Sequence, residues 1–203
     1  VNVDAGGTIT VVAAQSGVTG TAGQVELDAN GAASSIVVND EVTTTGGAIN
    51  ILADDDATFS ADGDVTSGGG NVTVTGDANS GATGTDGAVT MADGAVIDAG
   101  SGTIDIDADE DVTLGGASTT NATGTAVTVT STSGGVVDGG DTDTDITANS
   151  GTVVIDAVTG VGSADAIDTQ IDTLDLDNTA SGNVDINETD DLDINELDQD
   201  AAA

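Results

Sequence analysis

The feature that most constrains the fold is a recurring unit in which a glycine precedes alternating aliphatic and polar residues. Alternation at every second position puts the two sets of side chains on opposite faces of an extended chain, so each unit predicts a half-buried β-strand. Successive units begin 15 to 31 residues apart, with most spacings near 16 to 24, which is the range of a structural repeat. Eight units begin at Gly7, Gly23, Gly47, Gly70, Gly87, Gly102, Gly151 and Gly182, and a ninth surrounds Val127.

At three places an acidic turn lies between two short strand-like segments, and these turns suggest how the units are connected. The turns are residues 54–56, 109–111 and 189–191. Two short strands joined by a tight turn, followed by a looser return, make one coil of a solenoid. We therefore expect an all-β fold, a right-handed parallel β-helix of about nine short coils, with residues 1–203 forming one solenoid segment. This segment is expected to be a fragment of a longer chain or a subunit of a filament.

Residue types that are rare or missing favour this fold over the main alternative, a β-sandwich or jelly roll. The chain has one Phe, no Trp or Tyr, and no Pro. A sandwich usually has larger core residues and a turn every 8 to 12 residues or so. A narrow solenoid has room mainly for Val, Ile, Leu and Ala, and a proline would remove a donor from its ladder. Disorder is not expected, because 37% of residues are apolar and the mean hydropathy is +0.06.

The charge of the chain excludes several classes of function. It has 37 acidic residues and no Lys, Arg or His, giving a formal net charge of −37. It therefore has no basic surface for nucleic acid or anionic lipid, and no apolar run long enough for membrane insertion. Without Cys or His it lacks the usual nucleophile–base pairs. We predict no enzymatic activity and no catalytic residues, which includes the polysaccharide-cleaving activity of some β-helix proteins.

Cations are the ligands that this composition favours. Nine coils spaced by about 4.8 Å give a rod of roughly 45 Å, and so about one charge per 1.2 Å, denser than duplex DNA. No cofactor is required, but calcium prefers clustered carboxylates on turns. Residues 141–145 resemble the start of an EF-hand loop but are followed by Ile146 and Thr152 at the required Gly and Glu positions. The predicted calcium or diffuse-cation ligands are Asp54, Asp55, Asp56, Asp107, Asp109, Glu110, Asp111, Asp141, Asp143 and Asp145.

Pairs of threonines separated by one residue resemble the flat ladder of ice-binding solenoids. They occur at residues 8–10, 73–75 and 128–130. The equivalent positions in other units hold amides and acids, such as Gln24 and Glu26 or Asn183 and Asp185. Because these side chains interrupt the ladder, ice binding is not expected.

Residues 160–194 resemble a segment of giant bacterial surface proteins of the filamentous-haemagglutinin-like, β-strand-repeat kind. The matching pieces are Gly160 to Gly162, Thr169 to Leu174, Ser181 with Gly182, Val184 to Ile186, and Leu192 to Ile194. The family often has Pro-Leu where this chain has Ala166 and Ile167, and its members carry basic and aromatic residues. The resemblance implies an exported right-handed β-helix within a long extracellular fibre or adhesin, with no catalytic residues.

These observations predict a structural role at the cell surface, as an acidic fibre, stalk or matrix. The expected partners are the protein itself, through head-to-tail stacking or covalent continuation, and divalent cations. Two alternatives stay open: the stalk of an adhesin whose binding module lies elsewhere, and an acidic envelope protein of a halophile.

Overall fold

The computed structural model describes residues 1–78, 87–140 and 142–200, and all regular structure in this part of the chain is β-strand. We number the strands β1 to β21 in chain order. Every pair between them is parallel, and they wind into a β-solenoid of about eight turns with three strands per turn. The predicted β-helix is therefore confirmed, although the sequence indicated only two strands in each coil. No helix in the described ranges is long and apolar enough to span a membrane.

Each strand lies on one of three faces, which we call the first, second and third faces. The first face contains β1 (Asn2–Ala5), β4 (Val25–Ala29), β7 (Ile49–Ala53), β10 (Val72–Thr75), β13 (Ile104–Ala108), β16 (Thr125–Ser131), the second halves of β18 (Ile146–Ala157) and β19 (Ile167–Asn178), and β21 (Asp193–Gln199). The second face contains β2 (Ile9–Val11), β5 (Ile36–Val38), β8 (Ala57–Phe59), β11 (Val89–Met91), β14 (Val112–Leu114) and β17 (Val136–Asp138). The third face contains β3 (Val18–Thr19), β6 (Val42–Thr43), β9 (Val65–Thr66), β12 (Val96–Gly100), β15 (Gly116–Thr119), the first halves of β18 and β19, and β20 (Ile186–Glu188).

The first three strands of the third face were not predicted because they are too short to show a pattern. β3, β6 and β9 contain two residues each, which is less than one period of alternation. Their side chains nevertheless stack in register, as Val18 on Val42 and Val42 on Val65 show.

All three acidic turns lie between two strands, as predicted, but they do not occupy equivalent places in the solenoid. The turns at residues 54–56 and 109–111 both connect the first face to the second. The turn at 189–191 instead connects β20 on the third face to β21 on the first. Alternation looks the same on every face, so it identifies a strand but not the face to which that strand belongs.

Aliphatic columns along the axis form the core. In the first face one column runs through seven consecutive coils, and each member is almost completely buried. The single Phe and the single Met of the chain stack on each other in the second face, as Phe59 on Met91. The column of the first face is Leu27, Ile51, Val74, Ile106, Val129, Ile155 and Leu176.

Some of the glycines that open the units, such as Gly70 and Gly102, are needed because neighbouring coils approach closely there. A methyl carbon added at Gly102 would lie 2.1 Å from the carbonyl oxygen of Gly70, and one at Gly70 would lie 2.2 Å from that of Gly47. Since real Cβ atoms do not come this close to backbone, only glycine fits at these positions.

Candidate cation-binding surface

Outward side chains of the first face also stack into columns along the axis, and these columns contain the carboxylates of that face. In the paired strands of the first face, acidic residues stack on one another toward the two ends: Asp4 with Asp28 at one end, and Asp156 with Asp177 and Asp198, and Asp175 with Glu196, at the other. In the middle coils threonine separates them, as Thr75 and Thr130 flank Asp107. The solenoid therefore brings carboxylates together near its ends, at the spacing of about 4.8 Å between paired strands.

The closest group of carboxylates lies where β19 meets β21, and we call it the C-terminal carboxylate cluster. It consists of Asp177, Glu196 and Asp198, and one carboxylate oxygen from each lies within 4.8 Å of those from the other two. Among the described residues it is the one group of three or more acidic side chains that is this close. Carboxylate oxygens at such distances suit a hard cation such as calcium.

The opposite end of the first face holds its acids differently. Glu26 accepts hydrogen bonds from the side-chain amides of Asn2 and Gln24, each at 2.7 Å. Asp4 accepts one from the Nδ2 atom of Asn30 at 2.6 Å. Amide donors therefore satisfy carboxylate oxygens at this end of the solenoid.

The predicted ligands at residues 54–56 lie on the turn between β7 and β8. Asp55 accepts a hydrogen bond from the hydroxyl of Ser35 at 3.0 Å. Asp56 accepts one from the backbone N–H of Ala88 at 3.0 Å, in the following coil. These two carboxylates connect the turn to the coils on both sides.

The second predicted set follows the same plan between β13 and β14. Asp111 accepts a hydrogen bond from the backbone N–H of Gly135 at 2.8 Å, the counterpart of the bond that Asp56 makes. Asp109 accepts one from the hydroxyl of Thr132 at 2.5 Å. Asp107 is an outward residue of β13, and Glu110 lies half-buried in the turn.

The third predicted set is divided between different environments. Asp145 is 1% exposed and accepts a hydrogen bond from the backbone N–H of Asp168 at 2.8 Å. Asp143 is exposed, and Asp141 lies outside the described residues. At Asp56, Asp111 and Asp145 the turn carboxylate thus accepts an N–H of the next coil, a structural role that sequence reasoning missed. Cation binding by the predicted residues stays a prediction.

Four outward carboxylates of the first face have a raised pKa, and burial is the largest cause in each. For Asp28 the neighbouring charges of Asp4, Glu26 and Asp54 raise the pKa further. For Asp156 the further causes are Asp177 and Asp175. These directions show that the fold opposes ionisation of its own surface acids.

The other two lie side by side on β13. Asp107 contributes to the raised pKa of Asp105, and burial raises the pKa of Asp107 while its hydrogen bond with Thr130 lowers it. Even where threonines separate the acids, desolvation between coils therefore disfavours the ionised form.

The C-terminal carboxylate cluster was not predicted, because it forms between strands distant in sequence. The alternating residues 173–178 and 194–199 each show outward acids. Their contact depends on the register of β19 with β21, which includes an irregularity between Leu174 and Asp175 that accommodates Asn195. The alternating pattern identifies the outward acids of each strand, but it does not reveal this shift in the register between the two strands.

Comparisons with known proteins give no relative for this chain. No protein-family model matches it, and neither a curated protein nor a solved structure does.

Proposed function

We propose that this chain is a structural element of the cell exterior, an acidic β-solenoid rod that serves as a fibre, stalk or matrix. The observation that carries the proposal is the parallel ladder of the first face, which continues from β1 to β21 with aliphatic columns inside and carboxylates outside. Hydrogen bonds along the axis resist extension, while the negative surface keeps neighbouring rods apart. The resemblance of residues 160–194 to giant surface proteins supports the exterior location.

The edges of the solenoid support self-association along the axis. An edge strand with unpaired backbone groups is a template for pairing with another strand. At β1 a recess of about 260 Å³ is lined by Val3, Ile9, Val11 and Leu27, among others. At β21, Ile194 and Leu197 are 57% and 48% exposed. A further coil, from a longer chain or from a second copy, would cover aliphatic surface at both edges.

Electron microscopy and fibre diffraction of the purified chain test this proposal. We expect filaments of single-solenoid width with an axial repeat of about 4.8 Å. Leu197→Asp puts a charge on the edge and should shorten or abolish filaments. Val96→Asp, which adds the same charge at an exposed site of the third face, is the matched control and should leave them intact. Monodisperse compact particles from the unmodified chain at all concentrations would contradict the proposal.

Divalent cations are the second partner in this proposal. Bound cations would reduce repulsion within a rod and bridge carboxylates of neighbouring rods. Light scattering during a calcium titration should show bundling that a chelator reverses. A response to monovalent salt of the same size at equal ionic strength would instead favour a protein adapted to high salt.

A further inference from the structure

Asn30 combines a reactive sequence with an exposed position. It is the one asparagine of the chain that precedes a glycine. Glycine has no Cβ, so the peptide nitrogen that follows Asn30 is sterically accessible and its backbone is permissive. Asn30 directly follows β4 and its side chain is exposed. Within the described part of the chain, no acceptor is paired with the N–H of Gly31.

The fold requires the glycine of this pair and uses the side chain of the asparagine. A methyl carbon at Gly31 would lie 2.4 Å from the carbonyl oxygen of Gly6, so close packing between the first two coils demands glycine. Asn30 in turn donates its backbone N–H to the carbonyl oxygen of Ala5 at 3.0 Å and its side-chain amide to Asp4 at 2.6 Å. Both residues therefore hold β1 to β4.

The surroundings make the charge of residue 30 important. Asp4 lies in register with Asp28, and the negative charges of these two acids repel each other at this edge of the solenoid. The amide of Asn30 is a neutral donor between the coils, and no Lys, Arg or His exists in the chain to replace it. A carboxylate at position 30 would remove the donor and add a like charge beside Asp4.

We propose that Asn30 is a site of spontaneous deamidation that loosens the docking of β1 on β4. The backbone nitrogen of Gly31 attacks Cγ of Asn30, forming an N–C bond and losing its proton to solvent. The Cγ–Nδ2 bond breaks, and the nitrogen leaves as ammonia after taking up a proton. Water then opens the cyclic imide at either of its two C–N bonds, giving aspartate or isoaspartate. Water is the sole co-reactant, and nothing is oxidised or reduced.

Both products act on the same contact. Each replaces the amide donor by a carboxylate, so the bond to Asp4 becomes a repulsion between two negative groups. Isoaspartate also inserts a methylene group into the backbone directly after β4, where the chain must turn. The fraction of chains with a loosened β1 therefore increases with the age of the protein.

Peptide mapping of the folded chain, aged in mildly alkaline buffer, tests the chemical step. Residue 30 should gain about 1 Da as ammonia is exchanged for water, in both aspartate and isoaspartate forms. Asn149, exposed and followed by Ser150, is the internal reference and should convert more slowly. Asn30→Gln keeps an amide but closes the ring poorly, so it should not gain mass at residue 30. Conversion at Asn149 before Asn30 would overturn the proposal.

Hydrogen exchange tests the structural step. The aged fraction with one extra negative charge, separated by ion exchange, should lose protection of the β1 amides while β13 keeps its protection. Asn30→Asp should reproduce that loss without ageing, and Asn30→Gln should retain most of the protection. Unchanged protection of β1 in the aged fraction would overturn the proposal, whatever the fate of the Asn30→Asp variant.

Discussion

The two ends of the first face stabilise their acids differently. At the β1–β4 end, Glu26 and Asp4 accept hydrogen bonds from three side-chain amides. At the β19–β21 end, Asn195 donates to Asp175 at 3.1 Å, while Asp177, Glu196 and Asp198 crowd against one another. Among the described residues no side-chain amide donates to these three. The comparison teaches that a chain without basic residues can use Asn and Gln in place of Lys and Arg as hydrogen-bond donors to its carboxylates.

The largest expected effect tests whether the two ends differ in charge alone. Leu27 in β4 and Leu174 in β19 are each 1% exposed, and each packs between two aliphatic neighbours in its column. We expect Leu27→Ala and Leu174→Ala each to lower the free energy of unfolding by about 2–5 kcal/mol, because both leave a cavity. Urea denaturation measures both. A clearly smaller loss at one end would show that apolar packing also differs.

A smaller effect concerns the backbone at each end. Gly182 has φ +83°, and an added methyl carbon would lie 1.9 Å from the carbonyl oxygen of Thr159. Gly182→Ala should therefore cost about 1–3 kcal/mol. The matched control is Gly23→Ala, where no atom lies within 4 Å of the added carbon. Thermal unfolding should show a lowered midpoint for the first variant and little change for the second; equal midpoints would contradict the close approach at Gly182.

The smallest effects come from exchanging the charge patterns of the two ends. Glu196→Gln with Asp198→Asn gives the β19–β21 end the amides that it lacks, and should raise stability by about 0.5–1 kcal/mol at neutral pH. Asn2→Asp removes the donor to Glu26 and should lower stability by a similar amount, about 0.5–1 kcal/mol. Both changes should shrink in high salt, because screening weakens the repulsion between exposed charges. Effects that persist in high salt would point to packing instead.

Much of the fold was predictable, because the alternation of apolar and polar residues indicates which side chains are buried and the spacing of the glycines indicates a structural repeat. The residues around Ile49 and Ile104 predicted both their strands and the acidic turns that follow. Strands β3, β6 and β9 of the third face were missed since two-residue strands contain no period. Alternation also did not show that the turn at 189–191 connects a different pair of faces from the other two acidic turns.

The candidate site was less accessible to sequence reasoning. Runs of acids such as residues 54–56 were predicted to be cation ligands. In the structure, Asp56 and Asp111 accept hydrogen bonds from backbone N–H groups of the next coil. The closest carboxylates, Asp177 and Asp198, meet only through pairing of distant strands. Contacts of this kind depend on irregularities in strand register, which no local pattern contains.

The outward carboxylates oppose the stability that the aliphatic columns provide, and the free energy of unfolding as a function of pH tests this conclusion most directly. Burial and neighbouring acids raise the folded-state pKa of Asp28, Asp105, Asp107 and Asp156 above the ordinary value of 3.8. The folded chain therefore takes up protons at higher pH than the unfolded chain, and stability must rise as pH falls toward that value.

Urea denaturation of dilute samples from pH 7 down toward the ordinary value of 3.8, a range that includes the isoelectric point near 4.1, makes this measurement. We expect the free energy of unfolding to increase as pH falls through the lower part of this range, and the increase to be smaller in high salt. A free energy that stays constant or decreases over this range would contradict the conclusion that ionised carboxylates oppose the fold.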